Sequence, residues 1–404
     1  MGQRPVTPKR SGICRRISGW LIYLQAMVPV VCGAGVEEGW KPAQGPLQTR
    51  WTAEVTPENA HREYPRPQLV RDDWMNLNGL WDFVRLPKDA GKPESLPGRI
   101  LVPFPVESAL SGVMEPVSEE ERIWYRRTFQ IPKNWSNRRV LVHFGAVDWE
   151  SRVFVNGREM GVHRGGYDGF SLDISEALKP SGDQELVVAV WDPTDSGIQP
   201  RGKQVRKPNG IWYTPTTGIW QTVWLEPVAD VSIASLKLVP DVDAGLLRVT
   251  VRVRGDGDGV RVEATARDGR RTVSRVSGKA NQPLELSISD ARLWSPGSPF
   301  LYDLTIALNR EGRPIDEVQS YFGMRKIEVT SDDQGVRRLY LNGRALFQLG
   351  PLDQGFWPDG LYTAPSDAAL KYDIEVTKQL GFNMARKHVK IEPDRWYYWC
   401  DRLG

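Results

Sequence analysis

Cysteine is nearly absent from this sequence, with three among 404 residues, at positions 14, 32 and 400. Two of the three fall within the first 35 residues, so a chain cleaved behind that segment keeps Cys400 alone and forms no disulfide within itself. Histidine is scarce as well, at four, and no Cys or His cluster exists to build a metal-redox centre. No glycine-rich loop followed by a helix is present to cradle phosphates. Net charge is also missing: 53 Lys and Arg face 50 Asp and Glu, with both signs interspersed. No basic stripe marks a nucleic-acid or anionic-membrane partner. The one clear apolar run, Trp20 to Val31, is shorter than the roughly 20 residues a spanning helix requires.

Arg4, Lys9, Arg10, Arg15 and Arg16 precede that run without any acidic residue, and Gly33-Ala34-Gly35 follows it. This order predicts a signal peptide over 1–35, cut near Ala34, and a secreted or periplasmic protein with no membrane association afterwards. A lipid on Cys32 is the alternative, although Pro29-Val30-Val31 lacks the small and Leu residues that usually precede a lipidated cysteine.

What the sequence has in quantity is tryptophan, at sixteen, spread through short runs rich in Val, Phe and Tyr. Aromatic rings in such runs fill large β cores or offer flat platforms to sugar faces. Over 36–228 the clearest strands are Leu80 to Val84, Trp124 to Ile131, Val140 to Phe144, Arg152 to Val155, Glu185 to Asp192 and Gln221 to Glu226. Several alternate apolar with polar residues, as in an antiparallel sandwich with one buried face. Asn156-Gly157 between two strand candidates predicts a tight hairpin, because both central residues must accept positive φ. Over 229–325 tryptophan thins out, and Leu246 to Val253, Val260 to Ala266, Leu284 to Ile288 and Tyr302 to Ala307 read as a second, smaller sandwich of immunoglobulin-like size.

Beyond Arg325 the period changes. Ala345 to Gly350 is a strand candidate. Ser366 caps a helix whose Ala369, Tyr372, Val376 and Leu380 share a face, and Gly381 ends it. Phe382 to Arg386 is a second strand candidate, and a further helix from Asp394 carries Trp396, Cys400 and Leu403 on one side. This βαβα order implies parallel strands. Residues 326–404 supply about 80 of the roughly 250 residues a closed (β/α)₈ barrel needs.

The succession, together with seven segments in fixed order, resembles glycoside hydrolase family 2, the β-galactosidase, β-glucuronidase and β-mannosidase relatives. The segments are Trp124-Tyr125-Arg126-Arg127-Thr128-Phe129; His143 to Asp148 leading to Val155-Asn156-Gly157; His163-Arg164-Gly165-Gly166-Tyr167 with Phe170; Leu293-Trp294-Ser295-Pro296 with Leu301-Tyr302; Phe322-Gly323-Met324-Arg325-Lys326; Leu341-Asn342-Gly343-Arg344; and Asp373-Ile374 with Lys378 to Asn383, closed by Trp399 to Gly404. The resemblance implies a multidomain, mainly β protein: a jelly-roll-like sugar-binding sandwich, an immunoglobulin-like sandwich, then the first βα units of an incomplete TIM barrel. It also implies a retaining, exo-acting enzyme that cleaves β-glycosidic bonds through two Glu carboxyls about 5 to 5.5 Å apart. In this family one of the two follows an Asn. After Arg344 only Glu375 and Glu392 occur, neither preceded by Asn, so no catalytic Glu is assigned and both are expected beyond Gly404.

Barrel enzymes place site residues at the C-terminal ends of strands. Asp353, Arg386, Lys387 and His388 are therefore the candidate substrate-binding residues. Arg386 matches the family arginine that orients nucleophile and sugar, and Asp353 and His388 can exchange hydrogen bonds with hydroxyls. A buried ion network of Asp353 with Arg386 or Lys387 is the competing role, and Trp357 is either a stacking platform or loop packing. Gly350-Pro351-Leu352-Asp353-Gln354 and Arg386-Lys387-His388-Val389 depart from the segments common in β-galactosidases and β-glucuronidases, which leaves the sugar open. No cofactor is expected, and no carboxylate cluster supports Mg²⁺ or Na⁺. The expected partner is a carbohydrate, with homo-oligomerisation left open. A non-catalytic carbohydrate-binding sandwich protein is the alternative.

Overall fold

The computed structural model describes residues 40–404; the predicted signal peptide, with Cys14 and Cys32, lies outside the described residues. The described chain is mainly β, with several sheets and two α-helices.

Two antiparallel sheets dominate the first part. One orders the strands Gly98–Val102, Gly79–Pro87, Glu121–Phe129, Gln184–Trp191, Glu150–Val155 and Arg158–Arg164. The other orders Met75–Asn76, Val223–Val228, Arg139–Phe144 and Phe170–Asp173. Ile123 and Tyr125 from the first sheet and Val142, Phe144 and Leu225 from the second share one buried cluster. The run Leu186 to Val190 is apolar throughout because both its faces are covered. Leu186, Val188 and Val190 enter the shared core, while Val187 and Ala189 pack with Leu96 and Trp124 on the other side. Each such side chain contributes about 1.5–3 kcal/mol of burial. The Asn156-Gly157 turn forms as expected, with φ of 49° and 85°, between Glu150–Val155 and Arg158–Arg164.

Residues 232–322 form a second pair of sheets. Ser232–Asp241, Leu246–Arg254 and Pro283–Ser287 make one; Arg271–Lys279, Val260–Asp268, Tyr302–Arg310 and Arg313–Phe322 make the other. Alternation sends Leu247, Val249 and Val251 inward against Leu304, Ile306 and Leu308.

A three-stranded sheet of Ile327–Ser331, Arg337–Leu341 and Arg344–Ala345 follows. Next comes a parallel pair, Leu352–Asp353 with Arg386–Lys387, joined through helix α1 (Asp367–Gln379) and followed by α2 (Asp394–Leu403). The parallel order is the one expected, but both strands are shorter and later than predicted. Asn383 explains the shift. Its side chain donates to Phe347 O at 2.8 Å and accepts from Leu349 N at 3.0 Å, so a single backbone bond, from Asn383 N to Leu349 O, remains where a ladder was expected.

Ser366 caps α1 as predicted, its hydroxyl accepting from Ala369 N at 3.2 Å, and Gly381 leaves the helix at φ 86°. The predicted apolar face of that helix is corrected. Tyr372 and Leu380 are 37% and 68% exposed, and the inward stripe runs instead through Ala369, Leu370 and Ile374 over Trp357 and Trp396. The helix carries two adjacent apolar stripes, and the indoles beneath it decide between them. Cys400 is a free thiol.

Candidate functional site

The parallel pair carries Asp353 and Lys387 at matching register, so both side chains leave the same face. Lys387 Nζ lies 2.6 Å from Asp353 Oδ2 and 2.5 Å from Glu392 Oε1. Burial opposes its charge, but the Glu392 and Asp353 carboxylates together outweigh that cost and raise its pKa. Lys390, wholly buried, lies 3.1 Å from the same Glu392 oxygen and donates to the carbonyls of Gly355 at 2.7 Å and Tyr362 at 2.8 Å. Burial lowers the pKa of that ammonium. The core of the site is thus two lysines alternating with two carboxylates.

The loop 354–363 is moored to the first pair of sheets. Gln354 Nε2 donates to Tyr213 OH at 2.9 Å, and Tyr213 stacks on Phe356 with centroids 4.1 Å apart. Tyr362 OH meets Tyr167 OH at 3.1 Å, and Thr363 Oγ1 donates to Trp220 O at 2.6 Å. Asp359, with no exposed surface, accepts from Thr49 and Thr52. A cavity of about 430 Å³ opens between the outer face of the four-stranded sheet and this C-terminal segment, with His143, Phe170, Trp220, Tyr362, Glu392 and Asp394 on its walls. That volume lies in the range of small-molecule sites.

Behind Tyr167 lies a set of buried acids. Asp148 Oδ2 accepts from Gln204 Nε2 at 3.0 Å, and Gln204 Oε1 accepts from Thr216 N at 2.5 Å. Glu107 Oε2 accepts from Thr217 N at 2.9 Å, and Asp192 Oδ2 from Thr217 Oγ1 at 3.2 Å. Burial pushes Glu107 up to about 8. Asp148 is raised well above the usual carboxylate range by burial and then by Asp192, while burial raises Asp192. Three carboxyls therefore anchor the ends of the 204–217 loop that delivers Tyr213. Gly166 sits against Asp148, where a Cβ would fall 2.5 Å from Oδ1, and Gly165 has φ 149°. This double glycine is required for the close approach. Among the described residues no His, Cys, Asp or Glu group is arranged to hold a metal ion.

The predicted site residues divide. Asp353 and Lys387 come together in the ion network anticipated as the competing role. Arg386, one residue away on the strand, donates its backbone N–H to Pro351 O at 2.9 Å, but it is exposed and its guanidinium forms no hydrogen bond or ion pair among the described residues. His388 donates its backbone N–H to Asp353 O at 2.9 Å, and its ring has no hydrogen-bond partner among the described residues. Trp357 is only 9% exposed and meets Trp51 edge-on, so it is loop packing and not a platform. Glu392, which the sequence marks only as a glutamate not preceded by Asn, is the hub of the network. Its alternation with Lys387 and Lys390 was the available signal. Gln204 and Tyr213 carried none, because their partners are distant in sequence.

Residues 100–225 match the family model for the glycosyl hydrolases family 2 sugar binding domain, and residues 220–325 match the glycosyl hydrolases family 2 model. A putative β-glucuronidase of Formosa agariphila is 31% identical over 70% of this chain and 34% of its own length. A β-glucuronidase of Paenibacillus borealis is 25% identical, over 71% and 50% respectively. Among solved structures, the Ruminococcus gnavus β-glucuronidase superposes with a TM-score of 0.71 at 21% identity, covering 85% of this chain and 60% of that one. The chain spans between about a third and a half of the length of these curated relatives. With both family models matched in succession, this chain belongs to glycosyl hydrolases family 2.

Proposed function

We propose that the chain is the leading part of a retaining, exo-acting β-glycosidase that is exported and acts on a carbohydrate. In this reading 36–228 is a jelly-roll-like sugar-binding sandwich, 229–325 an immunoglobulin-like sandwich, and 326–404 the first βα units of a TIM barrel. The observation that carries it is the parallel pair, whose C-terminal ends present Asp353 and Lys387 beside Glu392, with the adjoining Gln354 bonded to Tyr213 from the first sandwich. Several curated relatives are named β-glucuronidase or β-galactosidase, which supports the reaction class and leaves the sugar open.

The residues present suit positioning better than bond cleavage. Glu392 is held by two ammonium groups and Glu375 pairs with Lys371 at 2.9 Å on α1, so neither is free to approach a glycosidic oxygen. Asp353 retains lone pairs for sugar hydroxyls, and Arg386 is an unengaged cation at the same strand ends. The acid/base and nucleophile are expected from further barrel strands.

The test is hydrolysis of aryl β-glycosides by the 404-residue chain and by the product of its gene with any sequence that follows Gly404. The reading expects turnover by the latter only. Turnover by the 404-residue chain, surviving substitution of Asp353 and Arg386, would overturn the assignment. A stop codon directly after Gly404 would favour the non-catalytic sugar-binding alternative. Amino-terminal sequencing of exported protein, with cleavage expected near Ala34, tests the signal peptide.

A further inference from the structure

On the first pair of sheets, at a place that shares no residue with the 430 Å³ cavity, lies a groove of about 710 Å³ walled by Trp149 and Trp191. Both indoles are half-buried. They sit at the end of the six-stranded sheet, where Trp191 pairs with Glu150 and Trp149 directly precedes that glutamate.

The two rings differ from the other tryptophans nearby. Trp124, Trp220 and Trp224 each rest on another aromatic ring. Among the described residues neither Trp149 nor Trp191 does so. The Trp149 indole N–H has no hydrogen-bond partner there either, whereas Trp191 Nε1 donates to Glu119 O at 2.7 Å. Lys88 Nζ lies 3.6 Å over one face of Trp191 and fixes the ring. A large indole kept out of the core costs burial free energy, and a groove of this size exceeds what packing requires.

The groove wall is polar and its charges nearly cancel, with Lys88 and Arg164 beside Glu119, Glu120 and Glu150. Glu150 pairs with Arg164 at 2.9 Å, and Glu119 pairs with Arg206. An anionic ligand would have to break these pairs and also face the further Glu120 carboxylate, whereas hydroxyl groups can join the pairs by hydrogen bonds. An aromatic face opposite paired charges suits the C–H face and hydroxyl edge of a pyranose.

We propose that this groove binds a segment of uncharged glycan, with Trp149 as the stacking surface, at a site separate from the Asp353–Lys387–Glu392 network. Binding there requires no catalysis, so its failure is distinguishable from failure of the glycosidase reading.

Calorimetric titration of the chain with uncharged β-1,4-linked tetrasaccharides of glucose, xylose, mannose and galactose, and with tetragalacturonic acid as the anionic probe, tests the proposal. Saturable binding of at least one neutral probe is expected, with at least tenfold weaker binding for Trp149→Ala, at most threefold for Trp149→Phe, and no change for Phe347→Ala, which alters an exposed ring on the C-terminal segment. Without any substitution, a saturating neutral probe should slow oxidation of Trp149 by N-bromosuccinimide at least fivefold, read by peptide mass spectrometry. Absence of binding by every neutral probe, tighter binding of the acid, or an unprotected Trp149 would overturn it.

Discussion

The two sheet pairs and the C-terminal segment use apolar residues in opposite ways. In the former, Trp81, Ile123, Val188 and Leu304 have no exposed surface. In the latter, Ile327 is 70% and Phe347 81% exposed, and burial collects around Trp357, Trp396 and α1. The polar groups differ in the same sense. Around the 204–217 loop the sheets bury three acids whose pKa burial raises, beside ion pairs such as Arg71 with Asp316, whereas the C-terminal segment buries its lysines and carboxylates against one another. A scaffold that fills itself thus adjoins a segment whose order rests on a few pairs and on mooring to the scaffold.

The sharpest way to break this comparison is to empty one site in each region. Trp81→Ala removes a ring that donates to Leu77 O and packs edge-on against Tyr125. It should cost about 3–5 kcal/mol in denaturant unfolding. Phe347→Ala should change stability by less than about 0.5 kcal/mol. Equal effects would mean that the exposed face is covered in solution.

Next in size is the pH dependence of the scaffold. Glu107 is raised from 4.5 to about 8, so the unfolded chain releases this proton first. The contribution is fully present below about pH 4.5 and is lost as pH rises towards about 8. At about 1.4 kcal/mol per unit of separation this amounts to a few kcal/mol. Glu107→Gln should flatten that slope between pH 5 and 8 in denaturant titrations. An unchanged slope would place the proton elsewhere.

Lys387→Met removes the ammonium between Asp353 and Glu392 and leaves both carboxylates short of a partner. About 3 kcal/mol of local destabilisation is expected, seen as faster amide exchange in α2 with the sheets unaffected. The smallest effect is expected at the hairpin, where Gly157→Ala, at φ 85°, should cost about 1 kcal/mol by thermal unfolding.

The comparison also separates what the sequence made legible. The Asn156-Gly157 turn and the Ser366 cap depend on residues a few positions apart, and both were readable. The alternation of Leu247, Val249 and Val251 was readable too, because one face is buried along the whole strand. The Leu352–Asp353 strand was misplaced because Asn383, far along the chain, satisfies the preceding backbone. In the candidate site Asp353 and Lys387 were reached through strand ends. Glu392 was not, because its role comes from two lysines folding onto one oxygen. Gln204 and Tyr213 belong to a loop whose destination is set by buried acids on other strands.

The most direct test of the glycosidase reading is to trap a glycosyl-enzyme intermediate. The full gene product would be incubated with 2-deoxy-2-fluoro β-glycosides of glucuronic acid and galactose, and the adduct located by peptide mass spectrometry. The account predicts one covalent adduct on a glutamate other than Glu375 and Glu392. An adduct on Glu392, or turnover of the substrates without any adduct, would contradict it.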